Sequence, residues 1–304
     1  HEVHVLRRPK SDTSEIDQLK LIHHMGDITD LESLCNATKD VDVVFHLAGV
    51  VGYSRAMRNI MEKVNVNGTA NVIHACTKAQ VQRLVYFSSV VAIGASFDGS
   101  QPLTENSPYN IAHLNLGYFE TKHHAELLVK KACDENILDA VILNPSTIYG
   151  PGDAKKGSRK TQVKVAQGKM PFYTSGGVNV IYINDLIDAS YRAYKIGRTG
   201  ERYILAGENI TIKKLFENIA QAAGVKPPKI YIPNPLVHAL GKVGDLMEKL
   251  QKKGPLNSEN AWTATMFHWF DSSKAQRELN LKVTPAQKAI QSSVNWMREN
   301  KIII

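Results

Sequence analysis

Over the first half of the chain, short runs rich in β-branched and aromatic residues alternate with stretches of helical period. HEVHVL (1–6), KLIHHMGDI (20–28), DVVFHLAG (42–49), RLVYFSS (83–89) and DAVILNPS (139–146) have the character of strands. Helical patterns fill the intervals near 30–39, 57–79 and 117–135, the last with Ala125, Leu127, Leu128 and Ala132 as its apolar stripe. Near-continuous apolar strands separated by helices imply a parallel sheet covered on both faces. The expected fold class is therefore α/β with a doubly wound parallel sheet, in which ligands bind beyond the carboxyl ends of the strands.

The second half is more mixed. NVIYIND (179–185) predicts a strand running into the helix DLIDASYRAYK, with Asn184 or Asp185 as its cap. ERYILAG (201–207) predicts another strand, and Thr211 is placed to cap a helix that ends at Gly224. Residues 235–253 form an amphipathic helix suited to covering a cleft, and Thr284-Pro285 opens a last helix. Without repeats or low-complexity linkers, the expected organisation is a core over 1–150, to which 179–206 returns, and a smaller mixed lobe within 151–304.

Composition narrows the class of partner. The chain has 304 residues, 43% of them apolar and 22% charged, which is ordinary for a folded domain. No apolar run reaches the roughly 20 residues that span a bilayer. Cys35, Cys76 and Cys133 are widely spaced and form no CxxC pair, so neither a disulfide framework nor a zinc site is expected, and a reducing cytoplasmic setting fits. The net charge of +8 is spread along the chain without the aromatic-and-basic ladder of single-strand binders. A phosphate-bearing small molecule is a more economical partner than nucleic acid.

Candidate chemistry gathers where the predicted strands end. In YFETKHHAE (118–126), Tyr118 and Lys122 stand four apart and share a helix face. A cation beside a phenol lowers its pKa toward neutrality and makes it a proton donor and acceptor; a surface tyrosine and a solvated lysine give the same spacing. Arg7 and Arg8 close the first strand, as a pair that suits a ribose 2′-phosphate or as plain surface charge. Asp27, followed by Ile28, can accept from an adenine amine or serve the helix that follows. Ala48 and Gly49 permit close approach of a flat ligand or simply a tight turn. Ser88 and Ser89 end a strand, where a hydroxyl can meet a carbonyl oxygen. The adjacent pairs His23–His24 and His123–His124 point their rings apart, so no metal site is expected.

Taken in order, HEVHVLRRP, GDITD, VVFHLAG, NVNGTANVI, VYFSSVVAIG, YFETKHHAE, NPSTIYGPGD and FDSSKAQRELN resemble the extended short-chain dehydrogenase/reductases. That superfamily includes nucleotide-sugar epimerases, dihydroflavonol reductases and 3β-hydroxysteroid dehydrogenases. The resemblance covers nearly the whole chain and implies a Rossmann-like core. It implies that Tyr118 is the proton donor, that Lys122 binds the nicotinamide ribose and acidifies the tyrosine, and that Ser89 orients the reacting oxygen. Asn65 matches an asparagine near the cofactor. Asp27 and Ile28 would hold adenine, Leu47, Ala48 and Gly49 would line the dinucleotide, and Pro145 and Ile148 would flank the nicotinamide. Arg8, with Arg7 beside it, matches the arginine of members that prefer NADP.

The implied activity is an NADP(H)-dependent oxidoreductase acting on a carbonyl or alcohol of a small, fairly apolar molecule, with NAD as the alternative cofactor. A nucleotide-sugar epimerase or dehydratase with retained NAD is the second expectation, to which the basic Lys155–Lys160 stretch would contribute. A non-catalytic protein on the same fold is the third. A homodimer is a further family expectation. The resemblance also places a strand and a Gly-rich turn ahead of HEVHVL, and the expectation is that such a segment lies upstream.

Overall fold

The computed structural model describes residues 1–152, 160–250, 254 and 256–303. Asp153, most of the basic 155–160 stretch, and residues 251–253 of the expected amphipathic helix lie outside these described residues. The first lobe begins with β1 (His4–Arg7) and β2 (Ile22–Met25), which pair in parallel. Helix α1 (Leu31–Ala37) follows, capped by the Asp30 carboxylate, which accepts from the Glu32 and Ser33 amides. Then come β3 (Val43–His46), the short helix α2 (Arg58–Met61), α3 (Gly68–Lys78), β4 (Arg83–Phe87), the long helix α4 (Gly117–Asp134) and β5 (Ala140–Pro145).

The second lobe is interleaved with the first. The elements that follow β5, of which α6 and β9 return to the first lobe, are β6 (Thr147–Tyr149), α5 (Lys160–Ala166), β7 (Phe172–Tyr173), β8 (Gly177–Tyr182), α6 (Ile183–Ile196), β9 (Arg202–Leu205), β10 (Glu208–Thr211) and α7 (Ile212–Ala223). The chain continues through β11 (Ile230–Tyr231), α8 (Asn234–Lys249), α9 (Ser258–Thr265), α10 (Ser273–Leu279) and α11 (Ala286–Glu299).

The main sheet has the order β3-β4-β5-β9, all parallel. Its alternating side chains explain why it is doubly wound. Leu84, Tyr86, Ala140 and Ile142 pack against Leu34, Ala75, Cys76, Ala125, Val129 and Ala132 of α1, α3 and α4. Val85, Val141, Leu143, Tyr203 and Leu205 face the other way, onto α6 and α10. Every residue of β5 is buried, as a central strand covered on both faces requires. The β1–β2 pair stands as a separate two-stranded sheet, so β1 and β3 each keep one edge without a strand partner among the described residues.

A smaller mixed sheet, β10-β8-β6, packs with α5, α7 and α11 around Val180, Ile210, Ile219, Ile290 and Val294. Of the 179–206 segment, β9 joins the main sheet while β8 belongs to this second one. No helix among the described residues is long and apolar enough to cross a membrane.

Three local expectations change. The 57–79 helix is broken: a 3-10 turn, α2 and a π-helical turn over Glu62–Asn67 precede α3. Helix α6 starts at Ile183, so Asn184 and Asp185 lie inside its first turn, the cap position falls to Tyr182, and Asp185 instead accepts from the Thr284 amide at 2.8 Å. Pro285 stands in the capping position of α11 rather than in its first turn. The Thr211 cap and the left-handed Gly224 stop of α7 stand as read.

Leu143 is fully buried between β5 and α6. Leu143→Ala is expected to cost about 2–5 kcal/mol, measured as a lower denaturant midpoint at unchanged slope. A loss below about 1 kcal/mol would contradict close packing on that face.

Candidate functional site

The carboxyl ends of β3, β4 and β5 converge, and three consecutive residues leaving β4 carry separate contacts. The Phe87 carbonyl accepts from the Lys122 ammonium at 2.8 Å. The Ser88 hydroxyl donates to the Glu126 carboxylate. Ser89, half-buried, lies within hydrogen-bonding reach of the Tyr118 phenol. Helix α4 places Tyr118, Lys122 and Glu126 one turn apart on its inner side.

Tyr118 sits among apolar and aromatic neighbours. Its cluster includes Phe119, Leu116 and Met266, with Tyr53, Val91, Leu114 and Trp262 packed alongside. Burial raises the Tyr118 pKa above the ordinary phenol value, and the Ser89 hydroxyl opposes this. The expectation that Lys122 acidifies Tyr118 is therefore not met. The physical reason is direction: the ammonium turns to Phe87 and to the Tyr86 hydroxyl, 3.3 Å away, rather than to the phenol. Burial lowers the Lys122 pKa to about 8, with the Glu126 charge opposing.

Behind Lys122 the polar groups are neutral. Burial first and the Lys122 charge second depress His46 to about 3, and burial raises the Tyr86 phenol. Thr69 Oγ1 donates to the Asn65 carbonyl at 2.6 Å, so the His46 ring, 3.0 Å away, donates to Thr69 through Nε2.

Asn65 is the buried residue of the π turn. Its side chain accepts from the Val50 amide at 2.7 Å, donates to the Val50 carbonyl at 3.0 Å, and reaches Thr121 Oγ1 on α4 at 3.1 Å. This clamps the loop after β3 to α4. Along that loop Leu47 is 63% exposed, and Ala48 and Gly49 are exposed too. A side chain at Gly49 would press on Asn65 at 3.3 Å.

On the β1–β2 side, the Thr29 backbone amide, aided by Arg8 and Lys63, holds the Asp27 carboxyl below the usual range. Asp27 does not cap α1; it closes its own turn through Thr29. Ile28 packs on Gly68, and its carbonyl accepts from Asn71. Arg7 donates to His23 at 3.1 Å, while the Arg8 side chain is exposed. Pro145 is buried at the end of β5 and Ile148 half-buried on β6. Between them the Ser146 hydroxyl is buried without a protein partner, as is Asn144 Oδ1.

The structure thus brings Ser89 and Tyr118 together and sets Lys122 behind them, with Asn65, Pro145 and Ile148 around the same strand ends. Arg7, Arg8, Asp27 and Ile28 form a second group on the β1–β2 side. The described residues hold no group of three metal-ligating side chains. The sequence reading missed Glu126, Asn144, Thr121, His46 and Thr69. Only Glu126 carried a signal, four residues after Lys122, and that spacing ordinarily marks an exposed ion pair.

Comparison with known proteins bears on the family and the fold. The 3-beta hydroxysteroid dehydrogenase/isomerase family matches residues 1–204. Sterol demethylase protein B of Methylococcus capsulatus is 28% identical, covering 99% of this chain and 92% of the relative. The decarboxylating sterol-4-alpha-carboxylate 3-dehydrogenase of Candida albicans is 29% identical over 93% of this chain and 85% of its own. Among solved structures, gox2253 is 32% identical with a TM-score of 0.88, covering 100% of this chain and 92% of that one. DesIV, a dTDP-glucose 4,6-dehydratase from Streptomyces venezuelae solved with NAD, shares the fold at a TM-score of 0.79 and 20% identity, covering 99% and 88%. With a family match over two thirds of its length and a fold shared from end to end, this chain belongs to the 3-beta hydroxysteroid dehydrogenase/isomerase family of extended short-chain dehydrogenase/reductases, and is an oxidoreductase of that NAD(P)-dependent type.

Proposed function

We propose that the protein is an NADP(H)-dependent carbonyl reductase, or the reverse alcohol dehydrogenase, acting on a small and fairly apolar molecule with Tyr118 as acid and base. The observation that carries this reading is the Tyr118 phenol paired with Ser89 inside an apolar wall, at the carboxyl end of β4. Burial keeps that phenol protonated through the neutral range, which suits donation to an oxygen that gains charge as a carbonyl is reduced. The Ser89 hydroxyl beside it would complete a two-donor oxyanion site. Tyr53, Val91, Leu114 and Trp262 limit water near it and favour an apolar substrate body.

The residues present suit a nicotinamide dinucleotide. Leu47, Ala48 and Gly49 offer an open, low-relief path along the end of β3. The buried Ser146 hydroxyl beside Pro145 and Ile148 has no protein partner, so its hydrogen-bonding capacity is unused. Lys122 would hold the nicotinamide ribose, Asn65 would keep the path in place, Asp27 and Ile28 would hold adenine, and Arg8 with Arg7 would meet a 2′-phosphate. When bound, the cofactor supplies or accepts the hydride.

Tyr118→Phe should lower turnover by roughly 10²–10⁴-fold across a panel of apolar ketones and aldehydes, while NADPH affinity stays within about twofold. Unchanged turnover removes Tyr118 from the chemistry. Fluorescence titration of the protein should show NADPH binding tighter than NADH. Arg8→Ser should weaken NADPH roughly 10- to 100-fold, the worth of a charge-assisted contact, and leave NADH unchanged. Equal or tighter NADH binding by the wild type, or NAD(H) that copurifies and turns over sugar nucleotides without net oxidation, would overturn the reading.

A further inference from the structure

Glu126 follows Lys122 by one turn of α4, and its side chain is only 4% exposed. Its carboxylate is fully engaged. One oxygen accepts from the Ser88 hydroxyl and from Asn144 Nδ2 at 2.6 Å, and the other meets Arg202 Nε at 3.3 Å. Asn144 Nδ2 also reaches the Ser89 carbonyl at 3.0 Å. One carboxylate therefore ties α4 to residues from β4, β5 and β9. The segment it holds runs from Phe87, which anchors Lys122, to Ser89, which meets Tyr118. A displacement of Ser88 would disturb both neighbours at once.

We propose that Glu126 is a positioning residue, which fixes the Phe87–Ser89 segment through Ser88 and Asn144 and places a countercharge one turn from the Lys122 ammonium. This rests on the reading of Lys122 and Tyr118 given above. The other groups around the ammonium are Tyr118 on α4, Tyr86 on β4 and His46 on β3, while Arg202 on β9 faces Glu126 from the far side. Burial holds both phenols protonated, and His46 is neutral at neutral pH, so among these groups the opposing charge comes from Glu126. Glu126 and Arg202 also line a cavity of about 270 Å³ with Glu105, Lys130, Glu201 and Lys274.

The sign of the effect follows. Removing the carboxylate charge leaves burial unopposed, so the Lys122 pKa falls below its value of about 8. Removing Arg202 takes away a cation that competes for the same carboxylate, so the Lys122 pKa rises. The test follows the Lys122 side-chain nitrogen by NMR across pH in the cofactor-free full chain, wild type against Glu126→Gln and Arg202→Gln. NADPH affinity and turnover are measured across the same range. Glu126→Gln should shift the Lys122 midpoint down by about one unit, a tenfold change in protonation at fixed pH. The alkaline limit of turnover should move with it, and Glu126→Asp should recover part of the shift.

A purely structural carboxylate would lower the melting temperature of Glu126→Gln and leave the Lys122 midpoint where it was, which would overturn the assignment. Should that variant not fold, Arg202→Gln carries the test: an upward shift supports the assignment, and no shift overturns it. The parent reading fails separately, since Lys122→Met with undiminished activity would remove the catalytic meaning of Lys122 and of its partner alike.

Discussion

A lysine ammonium buried at the end of a parallel strand is the constraint to which the centre of this molecule answers. Burial of an uncompensated charge costs several kcal/mol or more, so the surrounding groups must be arranged around it. The compensation comes from three directions: the Phe87 carbonyl on β4, the Tyr86 hydroxyl on the same strand, and the Glu126 charge one turn along α4. The cost extends to the neighbours, because the same ammonium helps to hold His46 neutral. Strand end, helix face and buried carboxylate are parts of one electrostatic arrangement, and the Ser89–Tyr118 pair stands on its rim.

Packing brings the second lobe to that rim. Helix α8 approaches the segment before α9 so closely that a Cβ at Gly244 would lie 1.6 Å from the Leu256 carbonyl oxygen. That approach sets the position of α9, which carries Trp262 to the apolar wall beside Tyr118. Asn257 in turn donates to the Tyr53 carbonyl, so the loop after β3 is held at one end by Asn65 and at the other by the second lobe. The space beside Tyr118 is thus shaped by both lobes, and its apolar character belongs to the pair of them.

Much of this was legible along the chain. The alternation of apolar strands with helical stretches contained the parallel core, because the main-sheet strands carry apolar residues on both faces and α3, α4, α6 and α10 present small residues to them. Thr211 and Gly224 bounded their helix through local chemistry alone, an oxygen that accepts from an amide and a residue free to turn left-handed. Asp185 shows the opposite case. Its local sequence suited a helix cap, yet the helix starts at Ile183 and the side chain meets the amide of Thr284, far along the chain. The break in the 57–79 helix was also invisible, because a π turn differs from an α turn by one residue of winding that no composition marks.

Fold class and the spacing of Ser89, Tyr118 and Lys122 were inherent in the order of residues, since periodicity and separation along a helix depend on near neighbours. The direction of each side chain was not. Whether Lys122 faces a phenol or a carbonyl, whether Glu126 is solvated or buried, and whether Tyr118 is acidified or held protonated depend on groups brought from four strands and two lobes. A pKa answers to burial and to charges a few ångströms away, and distances of that kind exist only once the chain has closed on itself.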